Sequence, residues 1–151
     1  MSSLPHPTNI SETKAISNTD VSYQAYRILQ AGFIVAPILA GIDKFTHLLV
    51  NWDKYLAPWI SNMVGGNTHG FMLFVGVVEI IAGIGVALKP KVFAYVVALW
   101  LAGIIINLLS TGTYFDIALR DLGLMLGAIA LGRLAMAYDH GNMGGLMKRA
   151  A

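Results

Sequence analysis

The chain has 151 residues, 56% of them hydrophobic and only 12% charged, with a formal net charge of +2. A soluble domain carries about a quarter charged residues, so this composition excludes an ordinary water-soluble domain, and the small charge makes no case for nucleic acid as a partner. Cysteine is absent, which excludes thiol–disulfide catalysis, thiolate metal sites and iron–sulfur clusters.

Residues 1–22 are polar and rich in Ser, Thr, Asn and Pro. They lack the charged-then-apolar pattern of a cleaved signal peptide and read as a flexible cytoplasmic tail. Four apolar segments follow within a membrane domain spanning 23–138: 28–42 (extendable to 50), 71–88, 92–109 and 117–137. About 20 apolar residues cross a bilayer core. The second and third segments meet that length without a basic residue, whereas the first meets it only if Asp43 and Lys44 lie inside the helix. The expected fold is all-α, a bundle of four transmembrane helices in the lipid bilayer, with a short flexible tail over 139–151.

Orientation follows from the basic residues. With both termini cytoplasmic, that side holds Lys14, Arg27, Lys89, Lys91, Arg133, Lys148 and Arg149, and the outer side holds Lys44, Lys54 and Arg120. Cytoplasmic loops are enriched in Lys and Arg, so the balance predicts an N-in/C-in topology. Lys89, Pro90 and Lys91 then make a tight inner turn. The outer stretch from Asn51 to Trp59 is aromatic and amphipathic. Trp and Tyr settle at headgroup level, so it either lies flat in the interface or folds over the mouth of the bundle.

Helical spacing puts Gly32, Ala36, Ala40 and Asp43 on one face of the first span, and Gly76, Glu79 and Gly83 on one face of the second. Gly103 shares a face with Asn107 in the third. In the fourth, Arg120 aligns with Gly123 and Gly127, and Asp121 with Ala128 and Gly132. Small residues let membrane helices approach closely, so these faces are expected to be the seams, with the polar side chains pointing inward. Asp43, Lys44, Asn107, Arg120 and Asp121 fall in the outer half. Glu79 lies about 12–14 Å along its helix, near the midplane, as the floor of a polar cluster open to the outside.

Asp116 and Arg120 are spaced for a local pair, leaving Asp43 and Asp121 to share Lys44 and cross-helix contacts to Arg120. Glu79 is left over and is expected to be a neutral acid unless a cation reaches it. Buried ionisable groups of this kind fix helix register or form a site. The site readings are a small-molecule, quinone or proton-handling pocket, with Glu79 and Asp121 as catalytic candidates, and a metal or haem centre, which is disfavoured. His47 and His69, with Asp43, are the only metal-ligand candidates near the bundle; each alone reads as an interfacial polar residue. Phosphate-loop and His-Glu-x-x-His motifs are absent.

Gly41-Ile42-Asp43-Lys44-Phe45, the Asn51–Trp59 stretch, Val77-Val78-Glu79-Ile80-Ile81-Ala82-Gly83 and Asp116-Ile117-Ala118-Leu119-Arg120-Asp121-Leu122-Gly123-Leu124 together resemble the DoxX-like family of four-helix membrane proteins, over about residues 24–137. The resemblance implies a bacterial cytoplasmic (inner) membrane location and carries over Asp43, Lys44, Glu79, Arg120 and Asp121. Relatives include the membrane subunit of thiosulfate:quinone oxidoreductases and proteins associated with redox partners or metal-responsive operons. The leading reading is an accessory or membrane-anchoring subunit of a redox or respiratory assembly, docking membrane protein partners through its helix surfaces and outer face, with the third span as a candidate partner-facing surface. The alternatives are a quinone-linked oxidoreductase subunit and, last, a small transporter. The missing cysteines depart from thiol-dependent relatives.

Overall fold

The structure, a computed structural model, describes the backbone of residues 20–149 and the side chains of 20–138. The expected N-terminal tail lies outside the described residues up to 19. All regular structure among the described residues is helical: α1 (Val21–Thr46), a 3-10 turn (Trp52–Tyr55), α2 (Pro58–Met63), α3 (Thr68–Leu88), α4 (Pro90–Thr111) and α5 (Phe115–Arg149). Three of these, α1, α3 and α4, are long and apolar enough to cross a membrane.

Local chemistry sets the helix ends. The Asp20 carboxylate accepts from the Ser22 N–H at the start of α1, a cap worth about 1 kcal/mol. The helix continues through Pro37 and includes Asp43 and Lys44, as the length of the first span requires. It ends at His47, whose φ of 52° is left-handed and whose N–H donates to the Asp43 carbonyl. Asn67 caps α3 through the Gly70 N–H, Pro90 occupies the first turn of α4, and Gly112 ends α4 at φ 71°. Helix α5 continues to Arg149, so 139–149 are helical where the sequence reading expects a loose tail. A glycine inside a helix costs only about 1 kcal/mol, and no proline interrupts this stretch.

Helix α1 packs most extensively on α3 and α4 on α5; contacts between α1 and α5 and between α3 and α4 close the bundle. Consecutive long helices run antiparallel. Gly41 meets Gly76 while Gln30 reaches Val86, and Tyr95 covers Gly132. Phe33, Ala82, Val86, Ala94, Val97, Ala98, Ala128 and Leu131 form the shared core.

The α1–α3 seam is built from glycine. A Cβ on Gly41 would stand 2.5 Å from the Gly76 carbonyl oxygen, and one on Gly76 would stand 2.8 Å from that of Gly41. Gly83 presses on Ile34 and Ile38 in the same way. The face expected on α3 therefore packs as foreseen, but the face expected on α1 does not. Gly32 and Ala36 are exposed and Ala40 is half-buried, so Asp43 alone of that face is buried, together with Gln30, Phe33, Gly41 and Lys44. Glycine and alanine on a membrane helix are compatible with lipid as well as with a neighbour, so the small residues misplace this seam by about one position. Gly103 and Gly123 likewise have nothing within 4 Å, whereas Gly127 and Gly132 pack on Phe33 and Tyr95.

Candidate functional site

The polar cluster gathers at the end of the bundle where α1 ends and α3 begins, opposite the described start of α1. Lys44, one turn from the end of α1, sends its ammonium to Glu79 of α3 at 2.6 Å, with side chains 3% and 11% exposed. Its Nζ also lies 3.9 Å from the centre of the Trp52 ring. Glu79 is therefore met by a cation. The sequence reading leaves it over because it assigns Lys44 to the aspartates. Lys44 instead faces α3 across the glycine contact at Gly76, where the two backbones come close enough for its chain to span the gap.

Asp43 has a different task. Its Oδ1 accepts from the N–H groups of Leu48 and Leu49 at 2.9 and 2.8 Å, and its Oδ2 accepts from the Trp52 indole at 2.7 Å. Longer bonds come from Thr46 Oγ1 and the Val50 N–H. A carboxylate ringed by N–H donors needs no lysine, so Asp43 and Lys44 do not pair. Trp52 joins the two, with its N–H on Asp43 and its face over Lys44.

Asn107 of α4 is also committed elsewhere than the charges. Its Oδ1 accepts from the Ala57 N–H at 2.8 Å and its Nδ2 donates to the Tyr55 carbonyl at 2.7 Å. Ala57 is fully buried, and Tyr55 stacks edge-on to Tyr114 with ring centres 4.7 Å apart. Of the two placements open for the Asn51–Trp59 stretch, the structure has the cap over the mouth.

Asp121 is partly buried, whereas Arg120 and Asp116 are exposed. The expected Asp116–Arg120 pair is not formed among the described residues, nor does Arg120 reach across to Asp43. Arg120 is turned about 100° around α5 from Asp121, toward the outside of the bundle. The Asp121 carboxylate lies within electrostatic range of both Glu79 and Arg120. The Trp100 indole also lies beside Glu79, but its buried N–H has no hydrogen-bond partner within bonding distance.

The two histidines come together. The His47 and His69 rings stack at 5.3 Å with a 27° interplanar angle, and His69 Nδ1 is 3.2 Å from Asp53 Oδ2. Asp43, the carboxylate expected beside them, is engaged with backbone amides, and Asp53 stands in its place. Sequence reasoning misses Asp53, Trp52 and Trp100; only the aromatic cap stretch itself carries a signal for the first two. No family model, curated protein or solved structure matches the chain.

These contacts make the polar cluster a set of committed bonds more than an open pocket. At the other end, a cleft of about 230 Å³ is lined by Arg27, Gln30, Ala31, Ile34 and Ala87 and takes in none of the clustered residues.

Proposed function

We propose that the chain is an accessory or membrane-anchoring subunit of a redox or respiratory assembly, with four spanning helices, in the bacterial cytoplasmic membrane, both termini cytoplasmic. The observation that carries the anchoring role is the Lys44–Glu79 pair, buried between α1 and α3 and covered by Trp52. Together with Asp43 and Asn107, it holds a shaped cap on the outer end and leaves the lipid-facing surface apolar. Leu99 of α4 is 77% exposed and Leu119 of α5 is 70% exposed, so both helices offer apolar surface to lipid or to a partner helix.

The fourth span is supported by the close packing of α4 on α5 and by the uncharged run 122–132. The orientation is supported by the sequence, in which the segments assigned to the cytoplasmic side carry seven basic residues and those assigned to the outer side three. The redox association rests on the resemblance of the motifs around Asp43, Glu79 and Asp121. Native mass spectrometry of the protein from its own membranes in mild detergent tests the proposal. Stoichiometric oxidoreductase or cytochrome subunits are expected; a lone chain or a homo-oligomer would contradict it.

One observation favours a second reading, a quinone-linked subunit. The Trp100 N–H is buried beside Glu79 without a hydrogen bond of bonding geometry, and a donor so placed fits a quinone carbonyl. Lys44, Asp43 and Asn107 are spent on protein contacts, so Trp100 is the residue that would hold the ring. Loss of co-purifying quinone in Trp100→Phe supports this reading, and unchanged quinone content removes it.

A further inference from the structure

We infer that His47, Asp53 and His69 form a binding site for a divalent transition-metal cation of the zinc class on the outer cap. The inference goes beyond the anchoring role and does not depend on it. One ligand atom from each of the three residues falls within 4.8 Å of the other two. Three ligands about 2.0–2.2 Å from a zinc ion stand about 3.3 Å apart, so modest side-chain rotations close the set.

Three independently anchored elements bring these ligands together. His47 is the left-handed end of α1, with its N–H on the Asp43 carbonyl at 2.7 Å. Asp53 lies in the 3-10 turn, where its own N–H donates to Asn51 Oδ1 at 3.1 Å. The residue before it, Trp52, is tied to Asp43 and Lys44. His69 lies in the first turn of α3, beside the Asn67 cap.

A second, independent observation points to a cation. Asp53 Oδ1 is buried and has no hydrogen-bond donor. A buried carboxylate oxygen without a donor is costly, and a metal ion would satisfy it. His69 Nδ1 already faces the other oxygen of the same carboxylate. Two imidazoles and one carboxylate suit zinc, copper or nickel better than calcium or magnesium, which take oxygen ligands. Three protein ligands leave a fourth position for water, and His69 is solvent-exposed, so the ion has an entry path. Once bound, it would fasten the end of α1, the cap and the start of α3 to one another.

The test uses untagged, detergent-purified full chain in a His6→Gln, His140→Gln background, so that the tail histidines do not compete. Calorimetric titration with Zn²⁺ is expected to give one ion per chain. His47→Gln, His69→Gln and Asp53→Asn are each expected to weaken it by about tenfold or more, with the metal-free melting temperature unchanged. Absence of saturable Zn²⁺ binding, or undiminished binding in the His47→Gln/His69→Gln double variant, would overturn the inference. Co²⁺ added to the background chain provides a readout without further substitution. Intense visible d–d bands of a low-coordinate nitrogen-ligated ion are expected, and the weak bands of hexa-aqua cobalt would count equally against the site.

Discussion

Asp43 and Lys44 are neighbours in sequence and opposites in task. A turn of about 100° per residue separates their directions, so one carboxylate gathers the loop while the adjacent ammonium crosses to α3. Asp43→Ala would leave the N–H groups of Leu48 and Leu49 and the Trp52 indole without their acceptor. These bonds are part-buried and end on a charged acceptor, so their loss loosens the loop. The expected outcome is a cap that opens locally, measured as faster proteolytic nicking within 48–57, with the helix content of the bundle unchanged. That Asp43, Lys44 and Glu79 belong together is legible in the sequence, because charges inside apolar segments must find partners. Which charge takes which partner is not legible. The assignment depends on backbone amides after the helix, and every residue has one whatever its side chain. Asp53 is hidden for the same reason, since a carboxylate on an aromatic loop looks solvated until the loop folds back.

At the scale of the helices, the α1–α3 seam depends on two glycines whose missing side chains let the backbones touch. Gly41→Leu puts a side chain where the Gly76 carbonyl stands 2.5 Å from a Cβ, and overpacking of this kind costs about 1–3 kcal/mol or more. It would also draw Lys44 away from Glu79. Gly103→Leu, with nothing within 4 Å of the added Cβ, is expected to leave stability unchanged. Thermal unfolding in detergent separates the two, and equal losses would refute the glycine seam. The 3.6-residue period places Gly76, Glu79 and Gly83 on the packed face of α3. It fails on α1, where the packed face is Phe33, Ile34, Ile38 and Gly41. There Val35 and Leu39 face outward along with Gly32 and Ala36, a choice of face that hydropathy cannot make when both environments are apolar.

At the scale of the molecule, the membrane assignment rests on three helices of spanning length, and their apolar runs are plain in the composition. The alternating helix directions put the described start and end of the chain at one end of the bundle. The absence of cysteine makes orientation directly measurable. Single variants Asn51→Cys and Thr113→Cys are expected to react with an impermeant maleimide in intact cells. Ser22→Cys and Lys89→Cys are expected to react only after permeabilisation, and the reverse pattern would invert the topology.

The anchoring account requires that the buried Lys44–Glu79 pair be structural. Removing one partner leaves an uncompensated buried charge, about 3–5 kcal/mol, whereas replacing both by apolar groups of similar volume is often neutral. Lys44→Met alone should therefore be severely destabilised, and Lys44→Met/Glu79→Leu should recover most of the loss. The decisive measurement compares that double variant with wild type, in the native membrane, for recovery of the co-purifying subunits and for their redox activity. Retained assembly with retained activity is the predicted result. A double variant that folds and assembles but supports no activity would contradict the account and place chemistry at Glu79.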